Sequence, residues 1–434
     1  MIRYRKIITF YLLAILVGML TGVLGSAFQW GIDKLVAEMQ GVVRYAASVG
    51  IPERFFSPAL TLMMVLFACT LVKRIAPEAA GSGIPEIEGA LLHERRIRWR
   101  RLIPVKFLGG LCAIASNVVV GREGPTVQMG GSVGQMLGEF FRLSSKRCDA
   151  LIAAGAAAGL ATAFNAPLAG VLFVMEEMRR SFSLPFLHFK TVAISCVASN
   201  VVLHAILGDQ QAIMMPVFNA PPLSSLWLFF VFGLLMGFIG VVFNRVLMGS
   251  LKWMDHRTVG FRSGYVVCVA LLIGYLAYAW PEAVGGGYRI IQQSLNLAPG
   301  VGILAGLFLV RFVTTMLCYN LGVPGGIFAP MLALGTLLGL GVSCLFQGCL
   351  SNELVEPGMF AVAGMGALFS ATVRAPVTGI VLVVEMTKNY ALILPLMVSC
   401  LTATTVVQLA GVAPIYTQLL RRTLNPWRVQ TGPQ

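Results

Sequence analysis

The chain has 434 residues, of which 57% are hydrophobic and only 12% charged, and a formal net charge of +14. Soluble domains carry about 25% charged residues, so the composition excludes a soluble globular protein and indicates a polytopic membrane protein. The excess positive charge is not a nucleic-acid footprint: the basic clusters (Arg3, Arg5 and Lys6; Lys73 and Arg74; Arg95 to Arg101; Arg142, Lys146 and Arg147; Arg179 and Arg180; Arg421 and Arg422) each abut an apolar run, the positive-inside pattern of cytoplasmic loops.

Met1 to Lys6, followed by an apolar run over roughly 8–30, superficially resembles a secretory signal. The run is too long for a signal's apolar core and predicts a transmembrane helix entered from the cytoplasm. Further apolar runs follow at roughly 56–76, 103–120, 123–140, 150–178, 187–207, 223–243, 264–281, 300–319, 327–346, 358–386 and 390–411. A hydrocarbon core of ~30 Å takes about 20 helical residues, and several runs fall short of that. The run 150–178 is instead too long for one helix and is interrupted at Asn165-Ala-Pro167. Short and broken helices are tolerated in a bilayer only when buried in protein or lining a cavity. The segment 84–92 lies between two basic clusters assigned to one side, so it is expected to be re-entrant. The expected fold class is an all-α polytopic membrane protein of short, tilted and re-entrant helices, forming a single transmembrane domain over 1–434.

The sequence also repeats. Gly155 to Glu176, containing Asn165-Ala-Pro-Leu-Ala-Gly170, aligns with Gly364 to Glu385, containing Arg374-Ala-Pro-Val-Thr-Gly379, at a constant offset of 209 residues. A weaker echo pairs Gly134 and Gly138 with Gly335 and Gly339. Two related halves, approximately 8–207 and 223–423, with breaks at matching positions point to an ion or substrate site between repeats.

Three Gly/Pro-rich breaks each open an apolar helix: Gly81-Ser-Gly-Ile-Pro85, Gly121-Arg-Glu-Gly-Pro125 and Gly325-Gly-Ile-Phe-Ala-Pro330. The first amides of a helix lack intrahelical partners, and the dipole adds about half a positive charge. Converging N-termini of this kind would hold an anion without a full cation, weakly enough to release it. Ser82 adds a hydroxyl donor. Glu123 places a carboxylate in the second break, where burial is costly by about 2.5 kcal/mol or more and marks a functional residue. Lys106, Arg311 and Arg374 also interrupt apolar runs, where they either shape the potential of the pathway or, equally, neutralise Glu86, Glu88 or Glu385. The nine cysteines and four histidines are dispersed, with no CxxC or HExxH spacing, so neither a disulfide framework nor a metal site is expected, and no cofactor is called for.

On these motifs the chain resembles the CLC family of chloride channels and proton-coupled chloride transporters, from about residue 8 to 423. The matching segments are Gly81-Ser-Gly-Ile-Pro-Glu-Ile-Glu-Gly-Ala90, Gly121-Arg-Glu-Gly-Pro-Thr-Val-Gln128, Asn165-Ala-Pro-Leu-Ala-Gly170 and Pro324-Gly-Gly-Ile-Phe-Ala-Pro330. The resemblance is strongest to the bacterial antiporter branch. It implies two inverted repeats, about eighteen helices, and a homodimer in the lipid bilayer of a bacterial inner membrane, with one anion pathway per subunit.

The same resemblance implies the site. Ser82 and Tyr416 correspond to the family's hydroxyl ligands of the central anion, and Ile327 and Phe328 to its backbone N–H donors. Glu123 corresponds to the gating glutamate, a tethered competitor for the anion that yields on protonation. Glu177 corresponds to the internal proton-transfer glutamate of the exchangers. The implied substrates are chloride and protons, exchanged rather than conducted; the alternative is a passive, voltage-dependent chloride channel of the same fold. The serine of Gly-Ser-Gly-Ile-Pro favours chloride over nitrate or fluoride. An intramembrane enzyme using Ser82 as nucleophile lacks an obviously placed histidine or lysine activator. The segment Tyr319-Asn-Leu-Gly-Val-Pro324 departs from the family's small-residue run, only about six residues precede the first span where many members have a further helix, and the paired CBS modules of eukaryotic members are not expected.

Overall fold

A computed structural model of the protein describes residues 2–178, 186–209, 212–297, 300–349 and 356–430; the basic pair Arg179–Arg180 lies outside them. The described residues form seventeen α-helices, and their extended pairings are two isolated bridges. In chain order these are α1 (Ile2–Ser48), α2 (Glu53–Arg74), α3 (Ile84–Leu91), α4 (Trp99–Ala115), α5 (Glu123–Phe140), α6 (Ser145–Phe164), α7 (Pro167–Glu176), α8 (Phe186–Leu207) and α9 (Leu226–Asp255). The remainder are α10 (Val259–Ala279), α11 (Tyr288–Leu297), α12 (Val301–Tyr319), α13 (Phe328–Cys349), α14 (Pro357–Val373), α15 (Pro376–Thr387), α16 (Ile393–Leu409) and α17 (Ile415–Gln430). Among the described residues, nine helical stretches are long and apolar enough to cross a membrane.

The predicted breaks are where the chain turns. Asn165 ends α6 and Arg374 ends α14, both with left-handed backbone (φ 53° and 63°), and a proline two residues later starts the next helix. Proline suits the first helical turn because its missing N–H is one of the groups that would be unpaired anyway. Helix α1 runs well past residue 30, because its polar continuation from Asp33 to Arg44 interrupts the apolar pattern but contains no proline to stop the helix.

The two halves cap each other. Glu385, closing α15, accepts the Leu168 and Ala169 amides of α7 at 3.1 and 2.8 Å. Glu176, closing α7, accepts the Val377 and Thr378 amides of α15 at 3.1 and 2.7 Å, and the Thr378 hydroxyl at 2.8 Å. A carboxylate at a helix N-terminus takes up orphan amides and complements the dipole. Glu385 is thus held by a helix end.

Within each half a close glycine contact joins two helices. A methyl group on Gly130 would collide with the Gly155 carbonyl between α5 and α6, and one on Gly335 with the Gly364 carbonyl between α13 and α14. Gly134 and Gly339 stand equally close to the Leu151 and Phe360 carbonyls. Small residues allow such backbone approach in membrane helix pairs. The structural equivalents are therefore Gly130 with Gly335 and Gly134 with Gly339, one helical turn away from the echo read in the sequence. Composition made both registers plausible, and packing selects one.

Candidate functional site

The three Gly/Pro breaks are hydrogen-bonded to one another. Gly81 N–H donates to the Val323 carbonyl and Gly325 N–H to the Gly81 carbonyl, each at 3.0 Å. Gly121 and Gly326 exchange a reciprocal pair at 2.7 and 2.9 Å. These short bridges bring the N-termini of α3, α5 and α13 together, although they are separated by up to about 240 positions in sequence. Glycine is required at Gly81 and Gly83, which have φ of 64° and 86°.

Ser82 is buried in this junction, and its Oγ has no hydrogen-bond partner. It lies against the first turn of α5, where a methyl on Gly124 would be 2.5 Å from Ser82 Oγ. Tyr416 is the second residue of α17, fully buried, and its hydroxyl also lacks a partner. Each of these two buried hydroxyls loses about 1–3 kcal/mol of solvation unless a partner donates to or accepts from it. Helix α17 begins just after Gly411-Val-Ala-Pro414, where Gly411 has φ 68° and Pro414 precedes Ile415.

Ile327 and Phe328 occupy the start of α13. The Phe328 ring is packed among aromatic rings, 4.4 Å from Phe369 and 5.0 Å from Phe164 by centroid. Glu123 is buried at the first position of α5. One carboxylate oxygen, Oε1, accepts the Tyr288 hydroxyl at 2.5 Å. The other, Oε2, lies beside the first turn of α13, with the Ala329 amide directed at the carboxylate. Glu123 thus sits over a helix N-terminus, where an anion is favoured. Glu177 is the buried C-cap of α7, directly after the capping Glu176. Tyr416 lies within electrostatic range of both Glu123 and Glu177, and of Glu88.

The other buried charges brace the backbone around this site. Lys106 Nζ donates to the Ala79 and Gly81 carbonyls at 3.0 and 2.7 Å, just ahead of Ser82. Arg311 donates to the carbonyls of Glu282 and Val284 at 2.9 Å and of Gly285 at 2.8 Å. Glu86 instead pairs with Arg95 at 3.1 Å. Lys106 also lies within electrostatic range of Glu86, while Arg311 is held by loop carbonyls, which are themselves strong acceptors that must be satisfied.

A cavity of about 970 Å³ lies beside the second Gly/Pro break, lined among others by Asp33, Asn117, Gly121, Arg122, Asn165 and Tyr288. In its lining, the Arg122 guanidinium lies 4.7 Å from the Tyr288 ring centroid. Arg122 and Tyr288, which flank Glu123 in sequence and by hydrogen bond, both line this cavity, whereas Ser82 and Tyr416 do not. Sequence reasoning missed Tyr288; the signal available was the triple glycine Gly285-Gly-Gly287 immediately before it.

A family profile described as "Voltage gated chloride channel" matches residues 64–408. The chain is 47% identical over 426 residues to the H(+)/Cl(-) exchange transporter ClcA of Vibrio cholerae serotype O1, covering 96% of this chain and 90% of the relative. It is 46% identical to the ClcA protein of Yersinia pestis bv. Antiqua, covering 95% and 87% of the two chains. Among solved structures it superposes on a slow cyanobacterial Cl-/H+ antiporter with a TM-score of 0.92 and 39% identity, over 96% of this chain and 98% of that one. With the motifs, the inverted-repeat helical fold and the matched span in agreement, the chain belongs to the voltage gated chloride channel family.

Proposed function

We propose that this protein exchanges chloride for protons across a bacterial inner membrane, working as a homodimer with one pathway per subunit. The observation that carries the reading is the pair of partnerless buried hydroxyls, Ser82 Oγ and Tyr416 Oη, beside a carboxylate seated at converging helix N-termini. Ser82 and Tyr416 donate to the anion, and the amides of Ile327 and Phe328 add partial positive charge. Ser82 acts as a ligand, not as a nucleophile. The relatives named above are exchangers, which supports antiport over passive conduction.

Coupling follows from charge. Two unit negative charges 4 Å apart repel by about 4 kcal/mol at an effective dielectric of 20. An ionised Glu123 and a chloride in the neighbouring position therefore exclude one another, whereas a protonated Glu123 leaves the field of the helix ends to the anion. By linkage, chloride then favours proton uptake as strongly as protonation favours chloride. Glu177 supplies the proton route from the opposite side. A single transmembrane domain built from halves 8–207 and 223–423 gives both ions a shared station between the repeats.

Calorimetry on the purified protein near neutral pH tests this directly. Chloride should bind saturably, with proton uptake revealed by a dependence of the heat on buffer ionisation enthalpy. Ser82→Ala should weaken binding by about tenfold, the value of one hydrogen bond to a charged group. Saturable binding with no proton uptake, or an unchanged affinity in Ser82→Ala, contradicts the proposed site.

A further inference from the structure

The contact between Tyr288 and Glu123 assigns a part to a residue outside the ligand set, and it rests on the reading of Glu123 as the gate. We propose that Tyr288 is a latch: its hydroxyl donates to the ionised Glu123 carboxylate, holds it in the anion path, and so sets the pH at which the gate opens.

The hydroxyl is placed by a braced platform. Gly285 and Gly287 have φ of 76° and 108°, so the chain turns sharply just before α11 and delivers Tyr288 as its first residue. Three guanidinium hydrogen bonds from Arg311 fix the carbonyls of Glu282, Val284 and Gly285. The Gly285 amide in turn donates to the Asn117 carbonyl at 2.8 Å, tying the turn to the α4–α5 connection that leads into Glu123. Donor and acceptor are therefore mounted on one rigid unit although they stand 165 positions apart. Arg122, stacked on the Tyr288 ring, fixes the ring plane from the cavity side, where Asp33 of α1 lies within its electrostatic range.

The chemistry has a definite sign. A hydrogen bond donated to a carboxylate stabilises its charged form, and its removal shifts the balance toward the protonated form. The other groups facing Glu123 are the Arg122 guanidinium of its own helix start, the Ala329 amide of α13 and the Tyr416 hydroxyl of α17. All of these remain in Tyr288→Phe, which removes one oxygen and keeps the ring against Arg122. The opening pH should then move upward, because the gate protonates more readily without its latch. A charge-assisted hydrogen bond corresponds to a shift of about one to two pH units.

The test is the pH dependence of chloride flux in proteoliposomes for wild type, Tyr288→Phe, Glu123→Gln and the double variant. The expected result is a midpoint raised by about one pH unit or more in Tyr288→Phe, with the double variant matching Glu123→Gln. An unchanged or lowered midpoint in Tyr288→Phe, with Glu123→Gln insensitive to pH, overturns the latch and leaves Glu123 as the gate. A wild-type pH profile in Glu123→Gln removes the gate itself, and the latch with it.

Discussion

Replacing Glu123 by glutamine is expected to abolish proton movement while chloride continues to flow. The amide has nearly the shape of the carboxyl group, cannot titrate, and has no net charge to compete with an anion. It keeps an oxygen that can accept from Tyr288, so the platform around α11 is undisturbed. In vesicles carrying the variant, proton flux driven by a chloride gradient should fall to the level of protein-free vesicles. Chloride affinity should rise tenfold or more, since each decade corresponds to about 1.4 kcal/mol and the repulsion removed exceeds that. A pH electrode and a chloride electrode reading the same vesicle suspension decide the matter. Persisting proton movement would show that the coupling residue lies elsewhere.

Glu177→Gln is expected to give the same loss of proton flux by a different cause. Glu177 closes α7, buried beside Glu176, and lies in the electrostatic neighbourhood of Tyr416. Its neighbour Glu176 caps the α15 amides, and the proposed proton route runs through Glu177. The variant should move chloride within a few-fold of wild type, because the hydroxyl ligands and helix ends are untouched. Unlike Glu123→Gln, it should keep a pH-dependent chloride flux, since the gate can still protonate from its own side. Intact coupling in Glu177→Gln would place the second proton station at another group.

The contrast between these residues shows what a sequence reveals and what it withholds. The three glycine-rich breaks, and the interruptions at Asn165-Ala-Pro167 and Arg374-Ala-Pro376, were legible because glycine and proline act on their own backbone. Ser82 and Glu123 were legible as polar groups set within those breaks. The partners of side chains were not. The hydrogen bonds of Lys106 and Arg311 go to loop carbonyls that no local pattern marks, while Glu176 and Glu385 cap each other's repeat from over 200 positions away. Tyr288 belongs to the same class: its role exists only because a distant turn is bound to the α4–α5 connection. The glycine register between the halves was off by one turn for a related reason. Several glycines in a small-residue helix offer equal matches, and only the facing carbonyls distinguish them.

The most direct test of proton-coupled exchange is a paired recording from vesicles containing the wild-type protein and no pH gradient. An imposed chloride gradient should drive protons in the direction opposite to chloride, building a pH difference against their own gradient and in fixed proportion to the chloride moved. Chloride movement with no accompanying uphill proton movement would contradict exchange and leave a passive channel with the same fold.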